Sequence, residues 1–199
     1  TFKYLFYDMN WLFFCGWMFL FCILSPLFLV ICIVNLFTPE CSVFFSHERR
    51  GRRGKPFTIY KFQTMKNNTP NCATGELENP EQYITKFGKF LRKTSLDELP
   101  QLWNILKGDM SFVGPRPLIS SEMRAHRLRL EYGVYRFRPG LTGWAQINGR
   151  DSISLLRKMK LDKEYCDNWS LKLDLIILLR SVGAVVKQEG FHEGTYHRR

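Results

Sequence analysis

MNWLFFCGWMFLFCILSPLFLVICIVNLFT, residues 9–38, is the stretch on which the fold turns: thirty consecutive residues without one ionisable side chain. As a single straight helix it would reach ~45 Å, more than the ~30 Å hydrocarbon core of a bilayer requires. A signal peptide would have a shorter apolar core and a small-residue cleavage site, and neither is evident. The segment therefore reads as a retained membrane anchor. Near its middle stands Ser25-Pro26. Proline removes a backbone donor, orphans the carbonyl of Cys22 and collides with that turn, at about 3 kcal/mol when unrelieved. The Ser25 hydroxyl could relieve this by bonding back to a freed carbonyl. Two readings follow. One is a kinked helix that spans, which composition favours because membrane helices tolerate proline. The other is a helix-break-helix that enters and leaves by the same face. In that case Met9–Leu24 reaches ~24 Å and Leu27–Thr38 ~18 Å, and neither arm crosses the core.

Outward from the anchor the character of the chain changes. Residues 1–40 hold one cation (Lys3) and two anions (Asp8, Glu40), while the rest carries 28 cations and 16 anions, a net of +12. With 45% apolar residues, 14 glycines and 9 prolines in 199 residues, the chain is neither disordered, collagen-like nor a disulfide scaffold. Its length suits one domain of ordinary size behind the anchor. Cysteines at 15, 22, 32, 41, 72 and 166 form no C-x-x-C pair, so free thiols in a reducing compartment are expected. The run HERRGRRGK, 47–55, sets the body on the cytoplasmic side and would attract anionic lipid at ~1 kcal/mol per cation.

Within the body, Phe57 to Phe62 is β-branched and aromatic and predicts a strand, and Asn67 to Pro80 predicts a loop. Tyr83, Phe87, Phe90 and Leu91, interleaved with Lys86, Lys89, Arg92 and Lys93, predict a basic amphipathic helix. Ser95-Leu96-Asp97-Glu98 matches a capping box, with Ser95 as N-cap and Glu98 reaching back, although Pro100 fits it poorly. Either way Asp97 lies at or just before a helix start. Free N–H groups there hold phosphate, and adjacent carboxylates suit a hard divalent ion that bridges to phosphates.

Gly108 to Pro117 predicts a restrained loop in which Pro115 and Pro117 hold Arg116 extended, ready for a bidentate phosphate contact. Arg138 to Trp144 predicts a turn into a short strand. Ile153 to Asn168 predicts a helix with Leu156, Met159 and Lys163 on one side. Leu171 to Lys187 is too broken by Asp174 and Arg180 to span, and predicts an interfacial helix. There is no repeat, no P-loop and no G-x-G-x-x-G.

Taken together, Ser25-Pro26, Tyr60-Lys61-Phe62, Thr94 to Leu99, Gly108 to Leu118 and Pro139 to Arg150 resemble the small monotopic phosphoglycosyl transferases of the bacterial sugar transferase family, the class of PglC-like enzymes. The resemblance runs from about residue 20 to 190. It implies an α+β, mostly helical fold: a re-entrant helix-break-helix anchor over 1–40 and a small cytoplasmic catalytic domain over 41–199, with interfacial amphipathic helices and short strands. It implies transfer of a sugar 1-phosphate from a UDP-sugar to polyprenol (undecaprenyl) phosphate on the cytoplasmic face of the bacterial inner membrane. UMP is released, and the step opens glycoconjugate assembly such as exopolysaccharide synthesis. The resemblance further implies Mg2+ at Asp97 and a covalent phosphosugar on Asp97, with Glu98 as its catalytic partner. Arg92, Arg116, Arg150, Lys61 and Asp162 fall at substrate-binding positions. Two departures stand out: Gln63 follows Tyr60-Lys61-Phe62 where the family often has a cation, and Lys3 and Asp8 lie farther from Ser25-Pro26 than usual. Beside this stands a different class, a non-catalytic membrane-tethered module for anionic lipid or nucleic acid, which the +12 body would suit equally. The acidic pair speaks against it, since a polyanion binder gains nothing from carboxylates, so the expected partners are a UDP-sugar, polyprenol phosphate and anionic lipid, with no nucleic acid.

Overall fold

Phe57 to Phe62 does form a strand, and it pairs with a segment that the sequence marks only by its charge. The computed structural model describes residues 22–70, 79–149 and 153–187. Lys3, Asp8, Arg150 and the arm of the anchor before Cys22 lie outside them. The chain divides into two units at Pro39–Glu40.

In the first unit residues 22–36 form helix α1, which runs through Ser25 and Pro26. The Ser25 hydroxyl donates to the carbonyl of Cys22 at 3.1 Å, the acceptor that Pro26 leaves orphaned. No helix among the described residues is long and apolar enough to cross a membrane.

In the second unit β1 (Phe44–Arg50) and β2 (Pro56–Phe62) make an antiparallel hairpin, and β4 (Leu118–Ile119) pairs with the other edge of β1. The front of the basic run is thus a strand: each residue from Phe44 to Arg50 has a partner in β2. Helix α2 (Lys86–Thr94) leads to a 3-10 turn at Leu96–Glu98 and then to α3 (Gln101–Lys107). β3 (Ser111–Val113) sits inside the expected loop and pairs in parallel with β5 (Gly140–Thr142). Between them lies α4 (Met123–Glu131), and α5 (Trp144–Ile147) follows β5 directly.

The chain closes with α6 (Leu155–Asp167) and α7 (Leu171–Lys187). On α6 burial falls on Met159, Leu161, Asp162, Tyr165 and Cys166, whereas Leu156 and Lys163 face outward, so the expected apolar side is rotated. One core gathers Val113, Val134, Tyr165, Cys166 and Ile177, and a second gathers Leu118, Ala125 and Met159. Cys22, Cys32, Cys41 and Cys166 are free thiols. The class is α+β, with helices over about half of the described residues.

Candidate active site

The site is assembled around the 3-10 turn that carries Asp97 and Glu98. Upstream, the Thr85 hydroxyl caps α2 by accepting from the Gly88 N–H at 2.9 Å. A Cβ on Gly88 would lie 2.1 Å from the Thr64 carbonyl oxygen, so only glycine lets the chain after β2 lie against the helix. One turn later Arg92 Nε donates to Thr64 Oγ1 at 2.9 Å. The helix then ends at Ser95, whose backbone is left-handed at φ 57°. The expected capping box is not formed: the Ser95 side chain makes no cap bond, and the residue closes α2 instead of opening a helix. Pro100 explains why. It lacks an N–H and would collide with the turn before it, so α3 starts after it, at Gln101, with Pro100 at the cap position.

Lys61 holds the acidic pair. Its Nζ lies 2.6 Å from Glu98 Oε1 and 3.9 Å from Asp97 Oδ2. The three side chains are 18%, 21% and 12% exposed respectively, sheltered but within reach of a ligand. Lys61 is in turn fixed by its strand. Asn104 of α3, fully buried, accepts from the Tyr60 N–H at 3.2 Å and donates from Nδ2 to the Thr58 carbonyl at 2.7 Å. This side chain substitutes for a neighbouring strand on the edge of β2 and satisfies two backbone groups there.

Arg116 reaches its place by a crossing of two backbones. A Cβ on Gly114 would stand 2.5 Å from the Arg138 carbonyl oxygen, and one on Gly140 would stand 2.1 Å from the Gly114 nitrogen. From this crossing the chain runs through buried Pro115 and Pro117, leaving Arg116 exposed between them, and enters β4. β4 pairs Ile119 with Arg49 and Leu118 with Arg50. Arg49 is the residue that sequence reasoning missed. Burial, and after it the charge of Arg116, pulls its pKa down to about 10 against the opposing pull of Glu122 and Glu98. The signal was present in the alternation Phe45, His47, Arg49, which places these residues on one face once the run is read as a strand.

Lys61, Asp97 and Glu98 are thus in contact, Arg92 is tied to the segment that follows Lys61, and Arg116 enters along the strand beside Arg49. Gln63 makes no cationic contribution; its Nε2 donates to the Met65 carbonyl at 2.9 Å and to Asn67 Oδ1 at 2.7 Å. Asp162 is placed differently. It lies in α6 with its carboxylate 2.6 Å from the Arg129 guanidinium of α4, both side chains 3% exposed. Burial pushes the carboxyl upward while Arg129 opposes the shift.

For a metal, no group of three or more His, Cys, Asp or Glu among the described residues forms a cage. Magnesium needs less, since it takes one or two carboxylates and completes its shell with water and substrate phosphates. The hard oxygens of Asp97, with Glu98 beside them, fit that requirement.

Residues 10–188 match the family described as bacterial sugar transferase. The chain is 44% identical over 183 residues to the uncharacterized sugar transferase EpsL of Bacillus subtilis (strain 168), covering 87% of this chain and 89% of the relative. It is 39% identical over 182 residues to the exopolysaccharide production protein ExoY of Sinorhizobium fredii (strain NBRC 101917 / NGR234), at 84% and 80% coverage. A UDP-glucose:undecaprenyl-phosphate glucose-1-phosphate transferase of Escherichia coli (strain K12) is 38% identical over 167 residues, 80% of this chain and 36% of that longer protein. A match of this extent defines a sugar transferase. The chain belongs to the bacterial sugar transferase family.

Proposed function

We propose that the protein transfers a sugar 1-phosphate from a UDP-sugar to a polyprenol phosphate, through a covalent intermediate on Asp97, at the cytoplasmic face of the inner membrane. The observation that carries this reading is the sheltered Asp97 carboxylate on its own short turn, beside Glu98 and Lys61. The Asp97 oxygen attacks the phosphorus that bears the sugar, the bond to the UMP oxygen breaks, and UMP leaves with the electron pair. An oxygen of the polyprenol phosphate then attacks the same phosphorus. The bond to Asp97 breaks, and the carboxylate is restored. Both attacking groups are anions, so no proton need be removed. The barrier lies in bringing negative charge to negative charge, which cations must offset. Lys61 is a cation beside the attacking oxygen and Glu98 fixes its position, while Arg92 and Arg116 are placed to meet the phosphates. Magnesium held at Asp97 would offset the charge of the donor's diphosphate and of the departing UMP.

The surface supports a lipid-facing place. α1 exposes Leu29, Val30, Ile33 and Leu36, and α7 exposes Leu171, Leu175, Leu179 and Val182 at helical spacing while Ile177 is fully buried. An apolar face of this kind favours the headgroup boundary. The test is UMP release from a panel of UDP-sugars with polyprenol phosphate, using the full chain in lipid nanodiscs. Release that needs the lipid phosphate, and label from the sugar phosphate trapped on Asp97 when the lipid is withheld, are the expected results. Label on any other residue defeats the covalent role of Asp97.

A further inference from the structure

Arg49 is a cation of the second unit whose burial nothing described so far explains. Its cross-strand partner in β2 is Phe57, and Lys61 faces Phe45 in the same ladder. Cross-strand partners share a face, and every second residue of a strand does too, so Arg49 and Lys61 project from one face of the hairpin. Lys61 meets the acidic pair from that face. On the other side of β1, Arg49 faces Ile119, three residues after Arg116. The side chain is therefore bracketed by the Lys61–Asp97–Glu98 cluster and the Pro115-Arg116-Pro117 turn. It is half-buried, and its Nε is sealed from solvent without a hydrogen-bond partner. A buried donor left unmade costs on the order of 1–3 kcal/mol, more for a charged group, and two arginines side by side repel. An anion between them removes both costs.

We infer that Arg49, with Arg116, forms a two-arginine clamp for the diphosphate of the donor nucleotide, and that Arg49 is a substrate-binding residue. This rests on the sugar-nucleotide reading above. The depressed pKa of Arg49, owed first to burial and next to Arg116 and opposed by Glu122 and Glu98, accords with a guanidinium drawn out of water beside a like charge. The planar fork suits the task, because a diphosphate presents paired oxygens to both guanidiniums.

The test is equilibrium binding of UDP, of inorganic phosphate and of uridine to the full chain in nanodiscs, without turnover. In Arg49→Gln the UDP affinity falls roughly ten- to a hundredfold, as loss of one charge-assisted contact requires, while uridine binding is unchanged. Arg49→Lys keeps the stem and the charge, so it folds, and it recovers part of the loss. The double variant Arg49→Gln/Arg116→Gln loses less than the two single losses combined, because both arginines hold one anion. UDP bound equally by native protein and Arg49→Gln overturns the clamp and leaves the transferase reading intact. So do strictly additive losses. Native protein that binds phosphate through Arg49 but ignores UDP and uridine keeps the anion site and overturns the nucleotide reading.

Discussion

The second unit holds two carboxylate–cation groups that look alike in composition and differ in access. In the first, Lys61 spans Glu98 at 2.6 Å and Asp97 at 3.9 Å, partly open, with unequal distances to the two acids. In the second, Asp162 and Arg129 meet at 2.6 Å and are sealed between α6 and α4. A sealed pair has exchanged its water for a single partner and has nothing left to offer a ligand; breaking it leaves a bare charge in the core. A partly open group keeps its acids within reach of a ligand. Of its two acids, Asp97 stands farther from the Lys61 ammonium. The two groups also sit on different architecture. Asp162 is carried by a 13-residue helix, whereas Asp97 sits on a three-residue turn between helices.

The largest effect that sharpens this contrast is expected from Asp97→Asn. The amide keeps the shape and loses the attacking anion, and asparagine caps about as well as aspartate, so any capping contact is kept. Turnover, read as UMP release, should fall by at least about ten-thousandfold, as for nucleophiles elsewhere, with an unchanged melting temperature. Normal turnover would erase the distinction between the two groups.

Next in size is the sealed pair. Arg129→Met strands the Asp162 carboxylate, which either stays charged without a partner or takes up a proton. Breaking such a pair costs about 3–5 kcal/mol. A drop in denaturant midpoint of that size is expected, together with UMP release per folded molecule close to native. Adding Asp162→Leu to Arg129→Met should recover most of the lost stability. If the double variant stayed as unstable as Arg129→Met, the pair would be embedded in a larger polar network.

Much of this contrast was legible in the residues. Tyr60-Lys61-Phe62 read as strand, Asp97 as lying just before a helix, and Ser25 as the donor for the carbonyl that Pro26 frees; all three depend on local chemistry that a short window contains. What stayed hidden depended on partners distant in sequence. Asp162 was placed at a substrate-binding position by the family resemblance, and nothing near it in sequence announces its partner Arg129, 33 residues earlier. Arg49 was hidden by its own neighbours, since five cations in nine residues read as a lipid-facing run until β2 and β4 flank the strand. Ser95 misled for another reason. The capping-box pattern was real, but Pro100 moved the helix start beyond it, and the serine went to close the preceding helix. Asn104 gave no local sign of its edge-strand role, because its partners Thr58 and Tyr60 lie over forty residues earlier.

The smallest effect comes from the same conservative exchange made once outside the open group, at Arg116, and once within the sealed one. Arg116→Lys keeps a positive charge between Pro115 and Pro117 but replaces a planar fork of donors with a single ammonium. The prolines fix the backbone on both sides, so the lysine cannot recover the lost geometry by moving the chain. The loss is about 1.5–3 kcal/mol, one charge-assisted contact, or roughly ten- to a hundredfold in kcat/KM for the UDP-sugar. The melting temperature should not move, because Arg116 is exposed and lies outside both apolar cores. Arg129→Lys reverses the pattern. Its ammonium cannot hold Asp162 as the guanidinium does in a site with 3% exposure, so the variant should melt earlier while kcat/KM stays near native. Arg116→Lys with native kcat/KM would make Arg116 a connector between its prolines, and would leave Lys61 and Arg92 as the cations that meet the phosphates.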